Sequence, residues 1–296
     1  MSFLREIRQQ SWGTPGQVQA RNFAFGTRDV SPPLPLCDAH CHLADARFAT
    51  DWPEVVARAR AAGVERIHAV AAEEADWEPL LSLAERFPNF LDISLGLHPW
   101  FAENAQPGWE KRLRKLLACG PYGLGETGLD TRVEGGVTQA QRDAFRRQLD
   151  LAKEFSRPAS VHLRGAWEEA WAILSCRDNT TSPILLHSFS GPAAWLPELE
   201  RHNLFVSFGG ALTRPNARKP PALAAAAPEG RILLETDAPD QAPWPRGGKE
   251  ARNEPAFLGV IASALAAARG ETPSRLAAST SAAYRAFWGK ESRASA

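Results

Sequence analysis

The sequence predicts an α/β fold, a TIM (β/α)8 barrel, and two observations carry that expectation. From residue 34 onward, short apolar or β-branched runs alternate with longer segments of helical pattern, and there are eight such runs. Eight βα units over about 260 residues match the size and order of this barrel, and helix-rich connections favour parallel strands. Polar residues stand at the ends of most of the runs. An open doubly wound sheet would instead gather them at one switch point.

The expected strands are 34–40, 66–72, 91–98, 122–128, 158–163, 183–189, 204–210 and 231–237. Asp51 and Glu54 are spaced as a capping box for a first helix, and Gly63 stands where that helix should stop. Thr138 and Gln141 repeat the device. The helix they open places Phe145, Leu149, Ala152 and Phe155 on one side, with Gln148, Asp150 and Lys153 facing elsewhere. Two last helices are expected over 254–270 and 273–288. Residues 1–33 are polar and Gly/Pro-rich, lack sustained periodicity and run into SPPLP. They are expected to form an N-terminal arm, disordered in part, ahead of a barrel spanning 34–296.

The stretch LPLCDAHCHLAD, residues 34–45, sets an aspartate and two histidines at alternating positions after an apolar run. In a strand, side chains two apart point the same way, so Asp38, His40 and His42 would share a face. Cys37, Ala39 and Cys41 would take the other, which makes Cys41 a buried thiol rather than a ligand. The ends of later strands add His98, Glu126, His162, His187 and Asp237. Five of the seven histidines therefore lie at C-terminal strand ends, the face where such barrels carry their chemistry. His40, His42, Glu126, His162, His187 and Asp237 are too many donors for one tetrahedral zinc but suit two divalent ions. Glu126 is placed to bridge them. Asp237 could bind a metal and also take a proton from an attacking water. Two ions ~3.5–4 Å apart would activate that water, which points to hydrolysis.

Other residues receive supporting roles. His98 would bond a leaving group or an oxyanion. Arg164, two after His162, suits a phosphate or carboxylate at the same mouth. Trp100 could stack on a base or sugar. Asp38 would orient a ligating imidazole. His68 and His202 are expected to be structural, and Trp167, Trp171 and Trp195 to pack.

The chain as a whole sets bounds. It has 296 residues, with 34 Lys plus Arg against 34 Asp plus Glu, so its net charge does not advertise non-specific tracking along DNA. No apolar run approaches the ~20 residues of a membrane span. The first residues carry charges where a signal peptide needs its apolar centre. The four cysteines show no CxxC pairing and are expected as reduced thiols in a cytoplasmic, monomeric protein. No dinucleotide fingerprint or P-loop occurs.

The motifs DAHCHL, GLHPW, GETGLD, VHLRGA, LHSFSG, SFGGALT, LLETDAPDQAP and RNEP follow one another as they do in the TatD family of metal-dependent hydrolases. The chain resembles that family over about residues 34–288. The resemblance implies a TIM barrel of the metallo-dependent hydrolase type and a divalent-cation-dependent deoxyribonuclease, with 3′→5′ exonuclease activity. It implies the same six ligands: His40, His42, Glu126, His162, His187 and Asp237. The cofactors expected are two divalent ions, zinc, manganese or magnesium. Departures from the family pattern fall at the rim. Thr127 replaces an isoleucine, Thr131 an aromatic residue, Leu163 a serine, and Trp100 the second histidine of HPH.

Three functions compete. In the first, a hydroxide held between two metals attacks a DNA phosphodiester, Asp237 takes its proton, and His98 with Arg164 steadies the developing charge. In the second, the same site cleaves a small ester, lactone or amide. Many binuclear relatives of that kind carry a carboxylated lysine at the fourth strand end, but residues 122–130 contain no lysine. In the third, the chain is a non-catalytic binding module, which should have lost a ligand, and none is missing.

Overall fold

Eight parallel strands pair in chain order and the last pairs with the first, closing a barrel. This is a computed structural model, in which residues 34–177, 182–245 and 251–289 are described. The arm expected at 1–33 lies outside the described residues. The strands are β1 (Leu36–Cys41), β2 (Val64–Val70), β3 (Leu91–Leu95), β4 (Gly123–Asp130), β5 (Ala159–Arg164), β6 (Ile184–Leu186), β7 (Leu204–Phe208) and β8 (Ile232–Leu234). The helices between and after them are α1 (Trp52–Ala61), α2 (Trp77–Arg86), α3 (Trp109–Cys119), α4 (Gln139–Phe155), α5 (Trp167–Leu174), α6 (Lys219–Ala226), α7 (Leu258–Arg269) and α8 (Pro273–Phe287). Between β6 and β7 the covering element is a 3-10 helix, Ala193–Glu198. No helix among the described residues is long and apolar enough to cross a membrane.

Alternation along the strands divides the buried residues into two layers. Ile67, Ile93, Leu124, Val161, Leu186, Val206 and Leu234 belong to the main cluster, with the helices. Cys37, Ala39, Leu185, Phe205 and Leu233 form a second cluster with Tyr284, Phe287 and Trp288 at the end of α8. Several polar groups in this lower layer are paired. The Tyr284 hydroxyl donates to Asp92 (2.9 Å), which also holds Arg66. His68, expected to be structural, lies 2.8 Å from the Ala39 carbonyl and 2.6 Å from Ser94 Oγ. His202 packs on Trp171, which meets Trp195; Trp195 in turn meets Trp167, and Trp167 meets Phe189.

Several local expectations need correction. Asp51 precedes α1 but makes no capping bond; its carboxylate is taken by Arg252 and Arg58. A guanidinium pair outcompetes a main-chain N–H for the same oxygens. Thr138 does accept from the Gln141 N–H, but the Gln141 side chain turns inward to the main chain of Asp130. Gln148, expected on the outer side of α4, is fully buried. Its amide bonds the Leu97 N–H and carbonyl and the Thr127 hydroxyl, tying α4 to β4 and to the turn after β3. The alternation expected at 37–42 also fails, because the register shifts between Asp38 and Cys41. Cys37 and Ala39 join the inner cluster, Cys41 joins the main one, and Asp38 turns to β8.

The Gln148 bonds are short-range supports of the strand ends. Gln148→Leu would leave the buried main-chain groups of Leu97 unpaired, at about 1–3 kcal/mol for each group. Urea unfolding should show an unfolding free energy lower by at least that amount, and an unchanged free energy would mean that Gln148 contributes nothing to the tie.

Candidate metal centre

At the C-terminal ends of the strands the chain brings together the side chains its sequence singled out. Glu126 lies at the middle of them. It sits on β4 between Gly125 and Gly128, both at positive φ. A Cβ at Gly125 would meet the Ser160 carbonyl at 2.6 Å, and one at Gly128 the His162 carbonyl at 1.8 Å. The glycines of GETG therefore let β4 lie close against β5.

The two oxygens of Glu126 face different histidines. Oε2 is 3.3 Å from His40 Nε2 and 3.3 Å from His42 Nε2. Oε1 is 2.8 Å from His187 Nε2 and 3.0 Å from His162 Nδ1. Asp237 Oδ1 joins the first group, 3.5 Å from His42 Nε2 and 3.7 Å from His40 Nε2. The six predicted residues are thus brought together. His40 Nε2 is only 3.3 Å from His42 Nε2, and His162 Nδ1 only 3.2 Å from His187 Nε2. Nitrogen and oxygen lone pairs so close together require a proton or a cation between them.

Protons alone divide unevenly over this set. Burial, then the neighbouring His187 charge, pushes His40 down to about 4. Burial opposes charge on His187 as well, but Glu126 outweighs it and lifts that imidazole to about 9. His42 also rises, despite burial, through its bonds to Asp237 and Glu126. Burial would raise Glu126 and Asp237, yet the surrounding imidazoles hold both carboxyls below their ordinary values. A cluster that keeps two buried carboxylates ionised beside four imidazoles has the donor chemistry of a divalent-metal site. The ligand atoms of His40, His42 and Glu126 all lie within 4.8 Å of one another, as do those of His40, His187 and Glu235.

His98 comes three residues after β3 ends and opens a 3-10 helix, Pro99–Asn104. Its Nδ1 accepts the Trp100 N–H at 3.1 Å, so the neutral ring carries its proton on Nε2. Nε2 points toward Glu126 Oε1, at 3.7 Å. Burial pushes His98 down to about 3, which keeps it a neutral donor. Arg164 and Trp100 line the same cavity, of about 940 Å³, with Arg47 and Arg214. Arg47 is tied to Asp45 and Asp240, whereas Arg164 and Arg214 have no ion pair among the described residues. Trp100 is half exposed, and its indole N–H donates to Asp130 at 2.8 Å.

Asp38 does not act as expected. Its carboxylate accepts the Thr236 N–H (2.9 Å) and hydroxyl (2.6 Å) and touches no imidazole. It fastens β1 to the chain leaving β8, and the ring of His40 rests instead on Ser160 Oγ, 2.9 Å from Nδ1. Sequence reasoning missed Ser160, Asp130, Glu235 and Gln241. Asp130 Oδ2 lies 3.0 Å from His162 Nε2. Glu235 lies behind His187, 3.8 Å from Nδ1, and burial pushes its carboxyl up to about 8. Gln241 donates to both Asp237 and Ser188, and all three residues hold positive φ. Three of the four were legible by period two: Ser160 precedes His162 by two, Glu235 precedes Asp237 by two, and Asp130 follows Glu126 by four.

Comparison with known proteins agrees with this geometry. Residues 37–289 match the model of the TatD related DNase family. The chain is 33% identical over 251 residues to the uncharacterized metal-dependent hydrolase YabD of Bacillus subtilis, covering 83% of this chain and 95% of that protein. It is 33% identical over 261 residues to the 3′-5′ ssDNA/RNA exonuclease TatD of Enterobacter lignolyticus, covering 86% and 99%. The crystal structure of the TatD homolog YJJV from Escherichia coli superposes with a TM-score of 0.80 at 28% identity, covering 86% of this chain and 98% of that one. A TIM barrel whose strand ends gather four histidines around a buried glutamate, matched over nearly all its described length, belongs to the TatD related DNase family of metal-dependent hydrolases.

Proposed function

We propose that the protein is a deoxyribonuclease that removes nucleotides from the 3′ end of single-stranded DNA, with two divalent ions at the strand ends. The observation that carries this reading is the division of Glu126: one oxygen faces His40 and His42, the other His162 and His187. A carboxylate so divided suits a bridge between two ions, one held also by Asp237. Imidazole-rich donors suit zinc or manganese, and magnesium is the third candidate. Bound there, the ions would activate water and stabilise charge on a phosphoryl group.

The chain's own groups supply the rest. Asp237 Oδ2 is held by Gln241, which leaves Oδ1 toward the histidines as the atom that takes a proton from the nucleophile. His98 offers Nε2–H to the developing negative charge. Arg164, which has no ion pair among the described residues, is placed to bind a substrate phosphate at the mouth of the cavity. Trp100 offers an aromatic face on which a terminal base stacks. The nuclease names of relatives such as the Enterobacter lignolyticus exonuclease support nucleic acid as the substrate.

Metal binding is tested by thermal unfolding. Zinc or manganese at 100 times its dissociation constant should stabilise the wild-type chain by about 2.7 kcal/mol. Glu126→Ala should remove that gain, while circular dichroism shows an intact barrel. Equal stabilisation of both proteins would defeat the bridging role.

The substrate is tested with an end-labelled single-stranded oligonucleotide, with EDTA and Glu126→Ala as controls. Shortening from the 3′ end that both controls abolish is the expected result. Intact DNA beside bound metal would overturn the nuclease reading and point to a small ester, lactone or amide. On the oligonucleotide, Arg164→Ala should raise KM by about 10-fold or more, as loss of a charge-assisted bond does, with a smaller change in kcat. Unchanged KM would exclude the phosphate contact.

A further inference from the structure

Asp130 is fully buried, four residues beyond Glu126 on β4, and none of the roles above uses it. One of its oxygens serves two groups. Oδ2 lies 3.0 Å from His162 Nε2 and accepts the Trp100 indole N–H at 2.8 Å. The other oxygen, Oδ1, accepts the Arg132 N–H at 2.7 Å. The main chain of Asp130 is held as firmly, because its N–H donates to Gln141 Oε1 and its carbonyl accepts from Gln141 Nε2. The carboxylate therefore has little freedom to move.

We propose that Asp130 is a positioning residue that holds the Nε2–H tautomer of His162 and, through the same oxygen, fixes the Trp100 indole at the mouth of the site. An ionised carboxylate only accepts, so the ring nitrogen facing it must carry the proton. Nδ1 faces Glu126 Oε1 and His187 Nε2, the direction a metal would occupy, and a cation there would meet its lone pair, whereas without one the Glu126 carboxylate asks for a second proton on Nδ1. The opposite tautomer would set two lone pairs against each other at Asp130 and turn an N–H into the metal site. Trp100 gains from the same arrangement. Its ring is half exposed, yet the bond to Asp130 sets the direction of its N–H edge, so its open face is presented without further ordering. The carboxylate thus ties the rim, where substrate would arrive, to a nitrogen at the centre. The inference rests on His162 being a metal ligand, as proposed above.

The test uses the full chain, labelled with 15N at histidine and tryptophan and free of metal, with Mn2+ or Zn2+ titrated into a parallel unlabelled sample. Long-range 15N–1H spectra of the wild type should show a proton held on Nε2 of His162, assigned by loss of its signals in His162→Gln. The Trp100 indole N–H, assigned with Trp100→Phe, should move in Asp130→Ala while the other indoles stay. Asp130→Ala should mix the His162 tautomers and weaken metal binding about 10–100-fold, the usual effect of losing such a partner. Asp130→Asn can keep an acceptor oxygen in place, so it should hold more of the Nε2–H form and bind metal more tightly than Asp130→Ala. It also serves where the alanine variant fails to fold. Trp100→Phe should leave both the His162 tautomer and the metal affinity within about twofold of wild type, since the Asp130–His162 contact remains.

A wild-type tautomer and affinity in both Asp130 variants would overturn the proposal. So would a loss in Trp100→Phe as large as that in Asp130→Ala, because the indole and not the carboxylate would then be the support. Absence of metal binding in the wild type would instead overturn the reading of the site on which the inference rests.

Discussion

The structure depends on compensating one buried carboxylate. Glu126 is 2% exposed, and a charge so far from water is costly unless it is paired at close range. The four pairing imidazoles come from three different parts of the chain: His40 and His42 at the end of β1, His162 on β5, and His187 just after β6. They meet only because the barrel is closed and its strands are parallel, so that all C-terminal ends share one face. Closure is itself secured at this level. Asp38 on β1 bonds Thr236 beyond β8, and the Asp237 N–H bonds the His40 carbonyl at 2.9 Å. The seam that closes the barrel also delivers Asp237 to His40 and His42.

Each imidazole in this group has two nitrogens, and the structure treats them differently. His40 has Ser160 behind Nδ1, His162 has Asp130 behind Nε2, and His187 has Glu235 beyond Nδ1. His98 has the Trp100 N–H on Nδ1. The result is a set of rings whose inner and outer nitrogens are distinguished by what lies behind them. That distinction separates a group that can donate electrons to a cation from one that can donate a proton to substrate. His98 falls on the donor side of this division, which sets it apart from the other four even though its Nε2 also faces Glu126.

Much of this was legible in the sequence because strand alternation and strand order are simple rules. The eight runs, the closed barrel and the gathering of His40, His42, Glu126, His162, His187 and Asp237 follow from them. Errors arose where the rules break locally. Alternation through Asp38 to Cys41 fails at a register shift, so Asp38 reaches Thr236 instead of an imidazole. Gln148 reads as an outward polar residue by helical period, yet it is buried because the turn after β3 presents unpaired main-chain groups to α4. A side chain that answers a neighbour's main chain leaves no periodic trace. Asp51 shows the same limit from the other direction. Its spacing from Glu54 signals a cap, but Arg252 arrives from two hundred positions away and takes the carboxylate.

The two carboxylates of GETGLD show how one strand assigns opposite tasks to one kind of group. Glu126 and Asp130 are both buried acids on β4, and both touch His162. Glu126 meets its Nδ1 and the imidazoles of His40, His42 and His187, with His98 farther off at 3.7 Å, so its charge is answered chiefly by groups that would also hold a cation. Asp130 meets Nε2, an indole N–H and a main-chain N–H, which together satisfy it without one. The difference lies in the donors around each oxygen, not in the residue type or its burial. It also explains why a tryptophan is accommodated at position 100. An indole N–H satisfies Asp130 from the rim while its ring remains open to the cavity. A histidine at that position would bring a second titratable ring to a carboxylate that already holds one. With tryptophan, the second partner of Asp130 carries no titratable ring, and the four imidazoles around Glu126 keep their places.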